Sequence, residues 1–136
     1  YDPFAYDTTA TTDSQTITTS GTTYVVANAG HTYAFPEITF TFNQSQSHIY
    51  IANNAITDNR FNISKSFASS DVLVVDCKNG TIKLNGVSSP AGFGDGGDGL
   101  AEWIMLAVGN NELEVGSTDE SINVDVDISF EKVYLY

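Results

Sequence analysis

Apolar and polar residues alternate along most of the chain, the pattern of strands that bury one face. The clearest alternation lies near the C-terminus, where the apolar positions are Ile122, Val124, Val126, Ile128 and Phe130. Ile38, Phe40 and Phe42 repeat the pattern. After a polar segment at 43–47, residues 48–52 are again mostly apolar, which predicts a hairpin between these two strands.

Asn-Gly pairs mark two tight turns between the remaining apolar runs. Asn79-Gly80 and Asn85-Gly86 favour short hairpin turns, because both residue types tolerate positive φ. Residues 86–99 are rich in Gly and predict a long loop, and Trp103–Leu106 predicts a short strand after it. No segment shows helical periodicity over ten residues. The pattern predicts an all-β chain of about nine or ten strands, packed as an antiparallel β-sandwich or jelly roll.

The first residues differ from the rest, because Thr, Ser and Asp dominate residues 7–23. This composition suits either a loose linker or an exposed edge strand. We interpret residues 1–23 as an extended N-terminal arm and residues 24–136 as a single β-sandwich domain. A chain of 136 residues with 41% hydrophobic residues can bury one core. Starting at Tyr1 without Met, it is compatible with being an excised piece of a longer protein.

Charge and cysteine content narrow the function classes. Seventeen acidic residues against five basic ones give a net charge of −12, which repels nucleic acids and anionic membranes and predicts neither as a partner. The chain contains no apolar run of membrane-spanning length and no secretion signal. The lone Cys77 has no disulfide partner in the chain, and no motif joins it to His31 or His48, so we expect a structural strand residue.

The order of short motifs in the second half resembles that in the C-terminal domain of siphophage distal tail proteins. The motifs are Asp71–Cys77, Gly80–Gly86, Trp103–Leu106, Gly109–Asn111, Ile128–Phe130 and Tyr134-Leu135. Upstream, Pro3–Tyr6 and Phe35–Phe40 are similar to the N-terminal arm and first core strand of that family. The resemblance implies a galectin-like sandwich located in the virion, at the tail tip or baseplate, where it contacts other tail proteins.

Similar modules in enlarged distal tail proteins are carbohydrate-binding modules for host cell walls. The resemblance therefore implies a non-catalytic module that binds host cell-wall polysaccharide and promotes host adhesion. The alternative is a purely structural domain of the baseplate hub that binds protein neighbours and no sugar. A glycan-cleaving enzyme is a third and weaker alternative.

A saccharide site needs an aromatic face for the sugar ring and planar polar side chains for its hydroxyls. Tyr50 alternates with Ile49 and Ile51 and so points away from the face that those two bury. The polar segment after residue 58 is similar to the strand on which galectins hold a sugar, although the galectin His-Asn-Pro-Arg motif is absent. Trp103 could stack on a sugar or pack in the core. The predicted saccharide-binding residues are Tyr50, Arg60, Asn59, Asn62, Tyr33 and Trp103.

Acidic residues offer two further kinds of site. Asp95 and Asp98, with Asp58 or Glu102, could bind calcium, but their spacing does not fit the twelve-residue calcium loop, so no cofactor is predicted. A glycosidase uses two carboxylates. Two pairs in this chain each lie on one face of a single predicted strand. These pairs are Asp125 with Asp127 and Glu112 with Glu114. Solvated charge is the commoner explanation, and no catalytic residue is predicted.

Overall fold

The computed structural model describes residues 6–90, Phe93 and 102–135. This part of the chain forms ten strands: β1 Tyr6–Ile17, β2 Thr22–Asn28, β3 Glu37–Phe42, β4 Gln46–Asn53, β5 Arg60–Phe67, β6 Val72–Asp76, β7 Thr81–Leu84, β8 Val87–Ser88, β9 Gly109–Gly116 and β10 Val124–Leu135. They make a six-stranded sheet, ordered β1-β10-β3-β6-β7-β8, and a four-stranded sheet, ordered β2-β9-β4-β5, in which neighbours are antiparallel. The predicted all-β sandwich is confirmed. The described residues include no helix long and apolar enough to span a membrane.

The core lies between the two sheets and consists of the apolar positions that alternate along the strands. The six-stranded sheet contributes the residues predicted from the alternation, and the four-stranded sheet faces them with Ile49, Ile51, Phe61, Leu113 and Val115. The rings of Phe42 and Phe67 stack with centroids 4.2 Å apart, joining the two sheets. Burial of each such side chain contributes about 1.5–3 kcal/mol, so the alternation accounts for the cohesion of the sandwich.

The polar start of the chain forms an edge strand. β1 pairs with β10 along its whole length, from Tyr6 opposite Leu135 to Ile17 opposite Val124. Ile17 is buried and fixes the end of the strand in the core. β1 thus extends the six-stranded sheet by one strand, and residue 24, where we placed the start of the sandwich domain, lies inside β2.

Both Asn-Gly pairs lie in hairpin turns. Asn85-Gly86 is the two-residue loop between β7 and β8, whereas Asn79-Gly80 ends a four-residue loop at 77–80 between β6 and β7. Gly80, Asn85 and Gly86 have φ values of 67°, 51° and 82°, the left-handed backbone that tight hairpins require. The second turn returns the chain as β8, where Val87 pairs with Leu84. A loop was expected from residue 86 onward. Val87 and Ser88 instead form β8, because the turn places them in register with β7.

The hairpin expected between β3 and β4 is wrong. β3 pairs with β10 and β6, whereas β4 pairs with β5 and β9 in the other sheet. The Asn43 amide donates to Asn123 O, and the Gln46 side chain donates to Ser121 O, which secures the crossing. The two strands thus bury their apolar faces in the same core from opposite sides.

The strand expected at Trp103–Leu106 is also wrong, since only Leu106 makes a β-bridge, with Ala34. Side chains satisfy the backbone instead. Asn59 donates to Trp103 O at 2.9 Å and accepts from the Met105 amide at 3.0 Å, while Asn53 donates to Met105 O at 2.7 Å. Asparagine side chains therefore take the place of a neighbouring strand.

Candidate functional site

Three of the predicted saccharide residues lie together on the outer face of the four-stranded sheet. Tyr50 on β4 is opposite Asn62 on β5, and Arg60 lies two residues before Asn62 on the same face. His48 and Glu114 extend this face along β4 and across to β9. We call Tyr50, Arg60, Asn62, His48 and Glu114 the Tyr50 cluster.

Tyr50 is held on both sides. The Arg60 guanidinium lies 4.0 Å from the centre of its ring, and its hydroxyl donates to Glu114 Oε2 at 2.7 Å. The ring lies so close to Gly116 that a Cβ there would come within 2.6 Å of Tyr50 Cε1. Burial, together with the hydrogen bond to Glu114 and its charge, raises the pKa of Tyr50. Only 9% of the side chain is exposed, so Tyr50 presents no open aromatic face.

His48 and Asn62 form a buried polar pair beside Tyr50. His48 Nδ1 accepts the Thr118 amide at 2.9 Å, so Nε2 carries the proton and donates to Asn62 Oδ1 at 3.1 Å. Asn62 is fully buried. The Ser117 hydroxyl donates to His48 O, so the segment after β9 covers this end of the cluster. The geometry is that of an internal polar network.

Asn59 and Trp103 lie elsewhere and also make internal contacts. Asn59 holds the backbone of residues 103–105, as described above. The Trp103 ring stacks on Phe93 with centroids 4.9 Å apart and an interplanar angle of 22°. Both rings are partly buried against the core. The structure thus places Trp103 in a packing position, the alternative considered from the sequence.

Tyr33 lies on the opposite side of the sandwich. It lines a groove of about 530 Å³ at one end of the outer face of the six-stranded sheet. Tyr33 and Phe35 are 58% and 46% exposed. We call this feature the Tyr33 groove, and its polar lining includes Glu37, Asp76, Lys78, Asn79 and Glu131. It is the one place among the described residues where two exposed aromatic side chains line a single cavity.

Local chain geometry explains this exposure. Ala34 exchanges backbone hydrogen bonds with Leu106, at 2.9 and 2.7 Å, and the Cys77 amide donates to Pro36 O. Ala34 and Pro36 are thereby buried, which leaves Tyr33 and Phe35 on the other side of the chain. Sequence reasoning selected Tyr33 but placed Phe35 in the first core strand. Extending the period of two backward from Ile38 would have placed Phe35 on the outer side.

The groove is acidic. Three carboxylates and one ammonium among its lining side chains leave a local charge of −2. Burial by itself would raise the pKa of Asp76, but hydrogen bonds from the Asn79 side chain, the Asn79 amide and the Lys78 amide lower it. Asp76 therefore stays ionised and orders the turn that carries Asn79.

The other acidic residues considered from the sequence are the calcium candidates and the two carboxylate pairs. Asp95 and Asp98 fall outside the described residues, and within the described part no group of three or more His, Cys, Asp or Glu side chains is arranged to hold a metal. The Asn54 side chain donates to Glu112 at 3.2 Å and to Glu114 at 3.4 Å. The Thr16 and Asn43 side chains donate to Asp125.

Cys77 directly follows β6 and is buried. Burial raises the pKa of its thiol to about 12. The thiol is therefore protonated at neutral pH, which is unsuited to nucleophilic chemistry.

The fold is thus a two-sheet sandwich module with one open aromatic groove. A model of the family described as "Siphovirus-type tail component, C-terminal domain" matches residues 29–134. The chain belongs to this family. The resemblance to distal tail protein C-terminal domains is confirmed, and with it the localisation in the virion, at the tail tip.

A solved structure has the same fold. The crystal structure of the Dit protein of phage SPP1, described as a paradigm of the hub adsorption apparatus in phages that infect Gram-positive hosts, is similar with a TM-score of 0.65 and 15% sequence identity. The match covers 90% of this chain and 47% of the SPP1 protein, so the chain spans about half of that protein's length. No curated protein matches the sequence.

Proposed function

We propose that this domain is a non-catalytic carbohydrate-binding module of a tail-tip protein and that it attaches to host cell-wall polysaccharide through the Tyr33 groove. The observation that carries the proposal is the joint exposure of Tyr33 and Phe35 in one groove. Exposure of these aromatic rings to water is unfavourable. A sugar that stacks on the rings would remove their apolar surface from water. The groove volume lies in the range of roughly 300–1,000 Å³ that is typical of ligand sites.

The polar lining supports the same function. Asn79 offers a planar amide, and Glu37 and Glu131 offer carboxylate oxygens that can accept hydrogen bonds from sugar hydroxyls. The Tyr50 cluster is a poorer candidate, because a sugar would have to displace Glu114 and Arg60 from Tyr50 before it reached the ring. The proposal therefore uses Tyr33 among the residues predicted from sequence.

A second function has its own supporting observation. β1 is the outermost strand of the six-stranded sheet, is twelve residues long and has no strand on its outer side among the described residues. Such an edge can pair with a strand of another chain. The domain could then serve as a docking module toward other tail or baseplate proteins, with no bound sugar.

The non-catalytic part of the proposal rests on the carboxylates of the groove. Glycoside hydrolysis needs a carboxylic acid with a raised pKa, placed across a cleft from a second carboxylate. The lowered pKa of Asp76 does not suit the role of that acid, and its oxygens already accept hydrogen bonds from the turn at Lys78 and Asn79. A reducing-end assay on host cell-wall polysaccharide checks this point, and release of reducing sugar by the purified domain would overturn it.

Adsorption to host cells tests the binding function. The fluorescently labelled domain is expected to bind a Gram-positive host saturably, and purified cell-wall polysaccharide should abolish the binding. Tyr33→Ala and Phe35→Ala should each weaken adsorption about tenfold, since a lost stacking contact is worth about 1–2 kcal/mol. Val87→Ala is the matched control, because Val87 is apolar and 70% exposed but lies outside the groove.

The alternatives predict other results. Adsorption that survives both aromatic substitutions would place the saccharide site elsewhere. A folded domain that fails to adsorb to the host would favour the docking function of β1, which charged substitutions on that edge would then test.

A further inference from the structure

We propose that the Tyr33 groove selects saccharides that carry free, protonated amino groups over N-acetylated or phosphate-bearing ones. This inference rests on the proposed function and names the ligand class of that same site. It is argued from two properties of the groove: its aromatic rings are exposed, and two neighbouring carboxylates accept no hydrogen bond from a described residue.

The first step is the long-range charge. The chain carries a net charge of −12, and the groove itself carries −2. A polymer of sugar or polyol phosphates would meet repulsion both on approach and in the groove. An ammonium-bearing glycan would be attracted, so charge separates the two classes of wall polymer before any close contact forms.

The second step is the state of the individual carboxylates. Asp76 is occupied by the turn that it orders. Glu37 and Glu131 differ, because both are exposed and accept no hydrogen bond from any described residue. Glu37 lies opposite Ser129, and Glu131 is two residues further along the same face of β10. The groove therefore holds two neighbouring carboxylates with their acceptor capacity unused.

The third step joins these carboxylates to the rings. An ammonium group on a sugar can donate charge-assisted hydrogen bonds to a carboxylate while the sugar stacks on an aromatic face, and a nearby ring also attracts the cation. Carboxylates alone would be ordinary solvated charge. Acetylation of the amine removes the charge and two of its donors, so both contacts are lost.

The positive charge of Lys78 disfavours a sugar ammonium group on its side of the groove. Lys78 lies at the β6–β7 turn, next to Asp76 on the β6 side of the groove. Glu131 lies on β10, on the other side of β3 from β6. We therefore assign Glu131 the larger role in charge selection.

Calorimetry with matched oligomers tests the inference. The probes are glucosamine and N-acetylglucosamine oligomers of equal length and a glycerol phosphate polymer, each titrated into the 136-residue chain. We expect the glucosamine oligomer to bind about tenfold more tightly than its acetylated counterpart at acidic pH. Its advantage should shrink at high salt and at a pH at which the amines lose their protons.

Variants assign the preference to the groove. Glu131→Gln should reduce the preference, and the double variant Glu37→Gln/Glu131→Gln should abolish it, because it weakens binding of the glucosamine oligomer more than binding of the acetylated one. Glu120→Gln is the matched control, since Glu120 is exposed and lies outside the Tyr33 groove. A preference that survives the double variant would come from overall charge and would overturn the assignment.

The remaining outcomes distinguish this inference from the proposed function. Equal affinity for the two oligomers, tighter binding of the phosphate polymer or no binding of the glucosamine oligomer overturns the charge selection. In each of these cases, host adsorption that still depends on Tyr33 would leave the proposed function intact. Adsorption that does not depend on Tyr33 would overturn the proposed function itself.

Discussion

The outer faces of the two sheets carry the same kinds of side chain in opposite states. On the four-stranded sheet, the Tyr50 cluster combines a tyrosine, an arginine and a glutamate whose polar groups contact one another. On the six-stranded sheet, Tyr33 and Phe35 stand open beside the carboxylates of Glu37 and Glu131, which accept no hydrogen bond from a described residue. The two faces therefore carry similar types of residue, and they differ in how far the side chains are exposed to solvent.

The difference arises from the segments that cross each face. Ser20, in the turn after β1, and Ser117, directly after β9, hydrogen-bond each other next to Tyr50 and His48. A partner is thus already supplied from within the chain on that side. A polar group whose partners are internal adds to stability, whereas one without such partners is available to a ligand. The two faces should accordingly respond differently to substitution.

Asn62→Ala should show the largest effect. It removes the acceptor of His48 Nε2 and leaves a cavity at a fully buried position. We expect the free energy of unfolding to fall by about 3 kcal/mol, measured by urea denaturation. Ser66→Ala, an exposed position on the same strand, is the control and should change stability by less than about 0.5 kcal/mol.

Two outcomes would contradict this difference between the two faces. If Asn62→Ala left stability near that of the wild type, the Tyr50 cluster would not be the internal network that its geometry indicates. If the folded variant lost adsorption to host cells, the two faces would not be independent.

Much of the fold was predictable from the sequence, because the alternation of side chains directly reports burial. The inward positions of β10 and β3 were predicted correctly for this reason. The pairing of strands was not, since alternation specifies which face of β3 is buried and says nothing about which strand lies beside it. Contacts between residues far apart in sequence, such as Asn59 with residues 103 and 105, likewise leave no local signal.

The site was predictable only in part, and for a related reason. Tyr50 points away from its apolar neighbours Ile49 and Ile51, and Tyr33 points away from the buried Ala34 that follows it, so alternation is consistent with both. Their difference comes from Glu114 and the segment at Ser117, which are more than sixty residues away from Tyr50 in sequence. The outward orientation of Phe35 could have been predicted from the sequence, because Phe35 continues the alternation of β3.

Tyr50→Phe should have an intermediate effect and tests whether the hydroxyl of Tyr50, unlike that of Tyr33, stabilises the fold. The substitution keeps the ring beside Arg60 and removes the hydroxyl that donates to Glu114. We expect a loss of about 1 kcal/mol in the free energy of unfolding. Tyr33→Phe is the matched control and should leave stability unchanged, because no described residue hydrogen-bonds to its exposed hydroxyl. An equal loss in both variants would contradict the distinction.

Asp119 should give the smallest effect, and it tests whether acid loosens the covered face. Burial alone would raise the pKa of Asp119, but hydrogen bonds from the Ser47 hydroxyl, the Ser47 amide and the Gln46 side chain lower it to about 2. The stabilisation is therefore complete above the unfolded pKa of about 3.9 and is lost as the pH falls toward the folded value. Because Asp119 is largely solvated, we expect less than about 1 kcal/mol.

The measurement is the difference in unfolding free energy between pH 5 and pH 2.5, compared between the wild type and Asp119→Asn. The wild type should lose more stability on acidification, because only it has this carboxylate to protonate. Glu120→Gln should retain the pH dependence of the wild type, since Glu120 is exposed and accepts no hydrogen bond from a described residue. If Asp119→Asn lost as much stability as the wild type, Asp119 would not be what fastens the segment after β9 to β4, and the cover over His48 would depend on Ser117 and Thr118 instead.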